Sequence, residues 1–130
     1  MTLFQIVGLY VALNIVLLIT LSYRVVAIRG SEKVSLGDGG NEVLRRRIRA
    51  QANLTEYAPL AMIGLLLLAG LNAGALWLHG LGGAFTLGRY MHAFGLSSTS
   101  GDSKARFFGM ILTWGSMLVM AGYLLFKVFD

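Results

Sequence analysis

Polar and apolar positions fall into long blocks rather than short alternations. Residues 1–23 carry no charged side chain, residues 57–88 are uncharged for 32 positions, and residues 107–126 are uncharged for 20. About 20 helical residues match the hydrocarbon thickness of a bilayer, so the first and last blocks each predict one membrane-spanning helix. No period-two pattern marks a strand, and no long internal repeat is evident. The first block is not built as a cleavable signal: no basic residue precedes it, and no small-x-small site closes it before Arg24. Its helix is expected to run to about Arg29.

The middle block is too long for one crossing and short for two. Leu71-Asn72-Ala73-Gly74 interrupts it and leaves apolar pieces 57–71 and 75–88, of 15 and 14 residues. At about 1.5 Å per residue each is several Å short of a bilayer core, so each helix must continue past its charged boundary. The second then takes in Asn53 and Glu56, and the third Arg89 and His92. Ionisable groups at such depth are costly and usually functional. Polar segments 30–41, with the turn signal Asp38-Gly39, and 97–104 are read as loops. The glycines of 30–41 are read as a turn, since neither a preceding strand nor a following Gly-Lys-Ser/Thr supports a phosphate cradle. The expected fold is an all-α membrane protein. It is a single domain, 1–130, forming an up-down four-helix transmembrane bundle with helices at about 2–29, 42–71, 75–96 and 104–128.

Composition supports the bilayer as solvent. The chain is 56% hydrophobic and 13% charged, with a mean hydropathy of +0.70. These values exclude disorder and exceed what a soluble globule of this size could bury. Cysteine is absent, which excludes disulfides, thiolate metal sites and a catalytic thiol from the protein itself. His79 and His92 are too far apart along the third helix to share a metal, and no carboxylate cluster joins them, so no metal site is expected. The net charge of +5 would raise nucleic acid as a partner in a soluble protein. Here ten of the eleven Lys/Arg residues (Arg24, Arg29, Lys33, Arg45, Arg46, Arg47, Arg49, Arg89, Lys104 and Arg106) fall at one membrane face, and only Lys127 at the other. The positive-inside rule places both polar loops in the cytoplasm and both termini outside, and no nucleic acid is needed. Arg45-Arg46-Arg47 reads as a topology anchor at anionic headgroups.

The candidate chemistry lies at the start of the second helix. Arg49, Asn53 and Glu56 stand at i, i+4 and i+7, which places them on one helical face. An arginine fork, a carboxamide and a carboxylate suit a ligand that carries both carboxylates and an ammonium. The plainer reading is a set of interhelical bonds that hold the bundle together. Pro59 leaves the Thr55 carbonyl without its helical donor and predicts a local kink. His92 reads as an interfacial hydrogen-bonding group, and His79 with Trp77 as an anchor at the opposite face. Trp114, Met and Phe residues at helical spacing read as packing or lipid contact, and Gly80, Gly82, Gly83, Gly88, Gly115 and Gly122 as sites of close helix approach.

The segment Arg49-Ala-Gln-Ala-Asn-Leu-Thr-Glu-Tyr-Ala-Pro59 closely resembles the second-helix signature of the membrane-associated proteins in eicosanoid and glutathione metabolism, the MAPEG family, which includes microsomal glutathione transferases and prostaglandin E synthase. Leu36-Gly-Asp-Gly-Gly40, Leu87-Gly-Arg-Tyr-Met-His92 and Arg106-Phe-Phe-Gly-Met-Ile-Leu-Thr-Trp114 resemble its bacterial loop, the end of its third helix and the start of its fourth. The resemblance implies a homotrimer that binds glutathione, as co-substrate, between neighbouring subunits near the cytoplasmic side. It implies that Arg49, Asn53, Glu56 and Tyr57 hold the tripeptide, with Gln51 and Arg29 as weaker correspondences. Tyr90 matches a pocket tyrosine, whereas the next one is replaced here by Phe94. The catalytic arginine corresponds to Arg106, with Lys104 as its competitor because the preceding loop is longer here. The implied reaction is attack of a glutathione thiolate on a lipophilic electrophile, or reduction of a lipid hydroperoxide, in a bacterial inner membrane. Two other readings use the same scaffold. One is a non-catalytic relative that binds membrane lipid or a partner. The other is a small proton-coupled exporter, against which Glu56 sits near a helix start among arginines rather than mid-span.

Overall fold

Each helix begins on a side chain or glycine suited to the task. Thr2 and Gln5 form a reciprocal capping box at the start of α1 (Leu3–Glu32). The Asn41 side chain accepts from the Leu44 N–H to start α2 (Glu42–Gly70), and Gly74 precedes α3 (Ala75–Ser98). Ser103 accepts from the Arg106 N–H to start α4 (Lys104–Phe129). A computed structural model describes residues 1–99 and 101–130, and these four helices are its only regular elements among the described residues.

The loop between α1 and α2 is a turn built on left-handed backbone. Gly37, Gly39 and Gly40 have φ of 69°, 58° and 76°, conformations that glycine adopts at little cost. The first helix runs one turn beyond the expected end at Arg29. Lys33 closes it in the left-handed conformation. Arg29 itself is drawn into the loop, where Nη1 donates to the carbonyls of Gly37 at 2.7 Å and Val34 at 3.3 Å. The break between α2 and α3 falls where expected: Asn72 has φ 56°, and the Ala73 N–H closes on the Leu68 carbonyl.

Successive helices are antiparallel neighbours. Arg47 meets Arg24 across α1 and α2, Asn53 meets Arg89 across α2 and α3, and Gly88 meets Gly109 across α3 and α4. Two apolar layers fill the interior, one around Ile6, Leu65, Leu78 and Met120, the other around Leu17, Ala50, Leu54 and Ala93. Between them lies a polar layer of Asn14, Thr86, Arg89, His92 and Thr113, all buried. Asn14 Nδ2 donates to the Tyr10 carbonyl and to Thr86 Oγ1, both at 2.9 Å. The outer surface is apolar, as at Ile19 (64% exposed) and Leu118 (73%). Three helices, α1, α2 and α4, are long and apolar enough to cross a membrane. α3 is diluted by glycines, Arg89 and His92 and packs against all three others.

Backbone contact joins α3 to α4. A Cβ on Gly109 would lie 2.6 Å from both the Gly88 carbonyl oxygen and the His92 nitrogen, and one on Gly95 would lie 2.6 Å from the Arg106 nitrogen. Those neighbours are main chain and cannot step aside. Gly109→Ala is therefore expected to destabilise the bundle by about 1–3 kcal/mol, the usual cost of overpacking. Gly122→Ala, where a Cβ meets open space, should be neutral or stabilising. Melting curves of both variants in detergent check the contrast.

Candidate functional site

The expected stripe on α2 forms, and it divides into two parts. Arg49 and Glu56 pair with each other along the helix at 3.4 Å, and both side chains are about half exposed. Asn53 turns inward. Its Oδ1 accepts from Nη2 of Arg89 on α3. That contact fixes the polarity of the carboxamide: the oxygen is spent on the arginine, so the two Nδ2 hydrogens remain for an acceptor outside.

Arg89 is the centre of the arrangement. It is fully buried, yet no carboxylate pairs with it among the described residues. Its partners are neutral groups on three helices. Nη1 donates to Thr113 Oγ1 at 3.3 Å and to Met110 Sδ at 3.6 Å. Nη2 reaches His92 Nδ1 at 3.3 Å, and because arginine only donates, the imidazole accepts through Nδ1. The guanidinium lies 5.5 Å from the centre of the Tyr57 ring, within cation–π range. Its Nε is buried without a partner.

His92 is buried within the bundle, where its hydrogen bond is to Arg89. Arg89 lies against its ring, and Arg49 near the start of α2 and Arg106 near the start of α4 stand at the same end of the bundle. Arg106 stands in the first turn of α4, half-buried, where the positive end of the helix dipole adds to its charge. It lines an open depression of about 730 Å³ with Lys104, Phe107, Met110, Ile111 and Trp114. The floor is apolar, and the rim is polar and mixed in charge, with Asp102 and Ser103 beside Lys104 and Arg106.

The remaining expected site residues lie apart from this cluster within one chain. Arg29 binds the α1–α2 loop. The Tyr90 hydroxyl donates to the Leu13 carbonyl of α1 at 2.8 Å, on another side of α3 from Arg89. Gln51 is half-buried and makes no side-chain hydrogen bond among the described residues. His79 meets the Tyr10 hydroxyl at 2.9 Å, and Trp77 packs on Tyr123. The contributions of Thr113, Met110 and Asn14 are absent from the sequence reading. Single hydroxyls, thioethers and amides in apolar helices carry no spacing signal that singles them out.

Comparison with known proteins agrees with the geometry. The inner membrane protein YecN of Escherichia coli K12 is 35% identical over 114 residues, covering 87% of this chain and 85% of YecN. YecN of Escherichia coli O6:H1 strain CFT073 matches to the same extent. No solved structure matches the chain significantly. The MAPEG family profile matches residues 7–126, across all four helices. The polar stripe of α2, the buried arginine of α3 and the basic start of α4 thus sit within a chain that belongs to the MAPEG family.

Proposed function

We propose that this membrane protein is a glutathione-dependent transferase or peroxidase. It acts as a homotrimer in a bacterial inner membrane, with the basic end of the bundle in the cytoplasm and both termini outside. The observation that carries this reading is the polar cluster on α2, in which the half-exposed Arg49–Glu56 pair stands beside an Asn53 whose oxygen is bound by the buried Arg89 of α3. Glutathione brings two carboxylates, an ammonium and a thiol. Arg49 and the outward Nδ2 of Asn53 suit its carboxylates, and Glu56 suits its ammonium. The Tyr57 ring lies beside the Arg89 guanidinium. Arg29, Gln51 and Tyr90 lie on the same basic half of the chain, where a neighbouring subunit could use them.

In this reading Arg106 favours the thiolate of bound glutathione, a thiol that is mostly protonated at neutral pH when free. The thiolate sulfur attacks an electrophilic carbon, a C–S bond forms, and the leaving group departs with the electron pair. With a lipid hydroperoxide the sulfur attacks the outer oxygen, and the alkoxide leaves and takes a proton. A second glutathione then resolves the sulfenic product to a disulfide and water.

Isothermal titration of glutathione into the purified protein, followed by turnover with an aromatic halide, tests the proposal. Arg49→Ala and Glu56→Ala should each weaken glutathione binding by about tenfold or more, the worth of one charge-assisted contact. Turnover at saturation should change little. Absence of binding heat, together with absence of thiol-dependent turnover, would leave the non-catalytic scaffold as the better account.

A further inference from the structure

A second basic feature lies outside that cluster, between α1 and α2. Arg47 Nη1 donates to the backbone carbonyl of Arg24 at 3.0 Å, which holds the Arg47 guanidinium against α1 at that residue. The two side-chain charges are close enough to act on each other. Nothing neutralises them: the ion pairs among the described residues are Arg45–Glu42 and Arg49–Glu56. The Nε atoms of Arg46 and Arg47 are buried without partners. Arg24, Arg46 and Arg47 are all half-buried rather than extended into water. Arg47 and Arg49 are two residues apart, about 200° around the helix, so Arg47 faces away from the Arg49–Glu56 pair.

Depth identifies the anion. Arg24 lies about 32 Å along α1 from its first residue, and Arg47 about 34 Å along α2 from its last. The hydrocarbon core is about 30 Å thick. Both guanidiniums therefore stand just past its boundary, at the level of lipid phosphates. Below them α1 presents Ile15, Ile19 and Tyr23 to the outside, Tyr23 being 71% exposed, so an acyl chain has an apolar stripe to lie on and an aromatic ring at the interface.

We propose that Arg24 and Arg47 bind the phosphodiester headgroup of one anionic membrane lipid. Two guanidinium forks offer paired N–H donors to the phosphate oxygens. The lipid's negative charge relieves the repulsion between two arginines that the fold holds together.

Native mass spectrometry of the detergent-purified full chain tests this with phosphatidylglycerol, phosphatidylcholine and inorganic phosphate as probes. The wild type should retain a phosphatidylglycerol adduct and no comparable phosphatidylcholine adduct. Arg24→Gln with Arg47→Gln should reduce retention by at least about tenfold, whereas Arg45→Gln, an exposed arginine already paired with Glu42, should not. Should the double variant fail to fold, Arg47→Lys keeps the charge, loses the fork and is expected to retain an intermediate amount. Four results would overturn the site. These are equal retention of both lipids, unchanged retention in the Arg24 and Arg47 variants, an equal loss in Arg45→Gln, and displacement of the lipid by millimolar inorganic phosphate.

Discussion

An Arg89→Met variant is expected to fold, to melt no lower than the wild type, and to bind glutathione at least about tenfold more weakly. The argument rests on the mismatch between the charge of Arg89 and its surroundings. A guanidinium that is fully buried among a carboxamide, a hydroxyl, a thioether, an imidazole and a phenol ring has hydrogen bonds but no counter-charge. Insertion scales put the cost of an arginine at the centre of a membrane helix at about 2.5–3.5 kcal/mol. Replacing buried ions with apolar residues of similar volume is often neutral, or stabilising by about 1–4 kcal/mol. Methionine keeps the volume and leaves the Asn53 oxygen, the Thr113 hydroxyl oxygen and His92 Nδ1 without the arginine donor, a smaller loss than that of a buried uncompensated charge. The loss in affinity follows from the Asn53 oxygen. Without Arg89 the carboxamide can turn either way, and the positive field behind it is gone. Melting curves and glutathione titrations on the same preparation separate the two effects. A fall in melting temperature with unchanged affinity would make Arg89 a purely structural residue.

An Arg106→Ala variant is expected to lose turnover by about 10²-fold, the scale of removing one preorganised electrostatic group at a reacting atom. The dissociation constant for glutathione should change less than about threefold, since an interaction with the developing or formed thiolate acts mainly on the reacting state. The measurement is a steady-state series with an aromatic halide beside a direct titration, with thiolate absorbance as the spectroscopic readout. Lys104 supplies the contrast. It is exposed at the first position of α4, whereas Arg106 is half-buried with its backbone against Gly95 of α3. Lys104→Ala should therefore leave turnover largely intact. If Lys104→Ala removes turnover and Arg106→Ala does not, the two residues exchange roles.

The positions of the helices could be read from the chain because bilayer thickness, helical rise and uncharged run length leave little freedom. The division at Leu71–Gly74 follows from this arithmetic, and the structure places the break there. The extra turn of α1 did not follow, because it depends on Arg29 folding back to the loop carbonyls, a choice made by loop geometry rather than helix propensity. The stripe on α2 was legible because i, i+4 and i+7 share a face. The role of Arg89 was not, since its partners lie 36, 24 and 21 residues away on two other helices and are ordinary neutral side chains. Arg89 and Tyr90 are neighbours and so point about 100° apart. Arg89 enters the core, and the tyrosine consequently reaches α1 rather than the polar stripe.

The glycine contact between α3 and α4 has a mechanical consequence. With main chains touching at more than one level, neither helix can slide or twist without the other, and the pair behaves as a stiff plank that carries His92 and Arg106 at a fixed spacing. On the proposed reading, any adjustment to a bound tripeptide falls to α2 rather than to the plank. That helix contains its own soft joint, because Pro59 has no N–H to give the Thr55 carbonyl and removes one rung of the ladder. The joint lies three residues beyond Glu56, so bending there moves Arg49, Asn53 and Glu56 as one rigid arm.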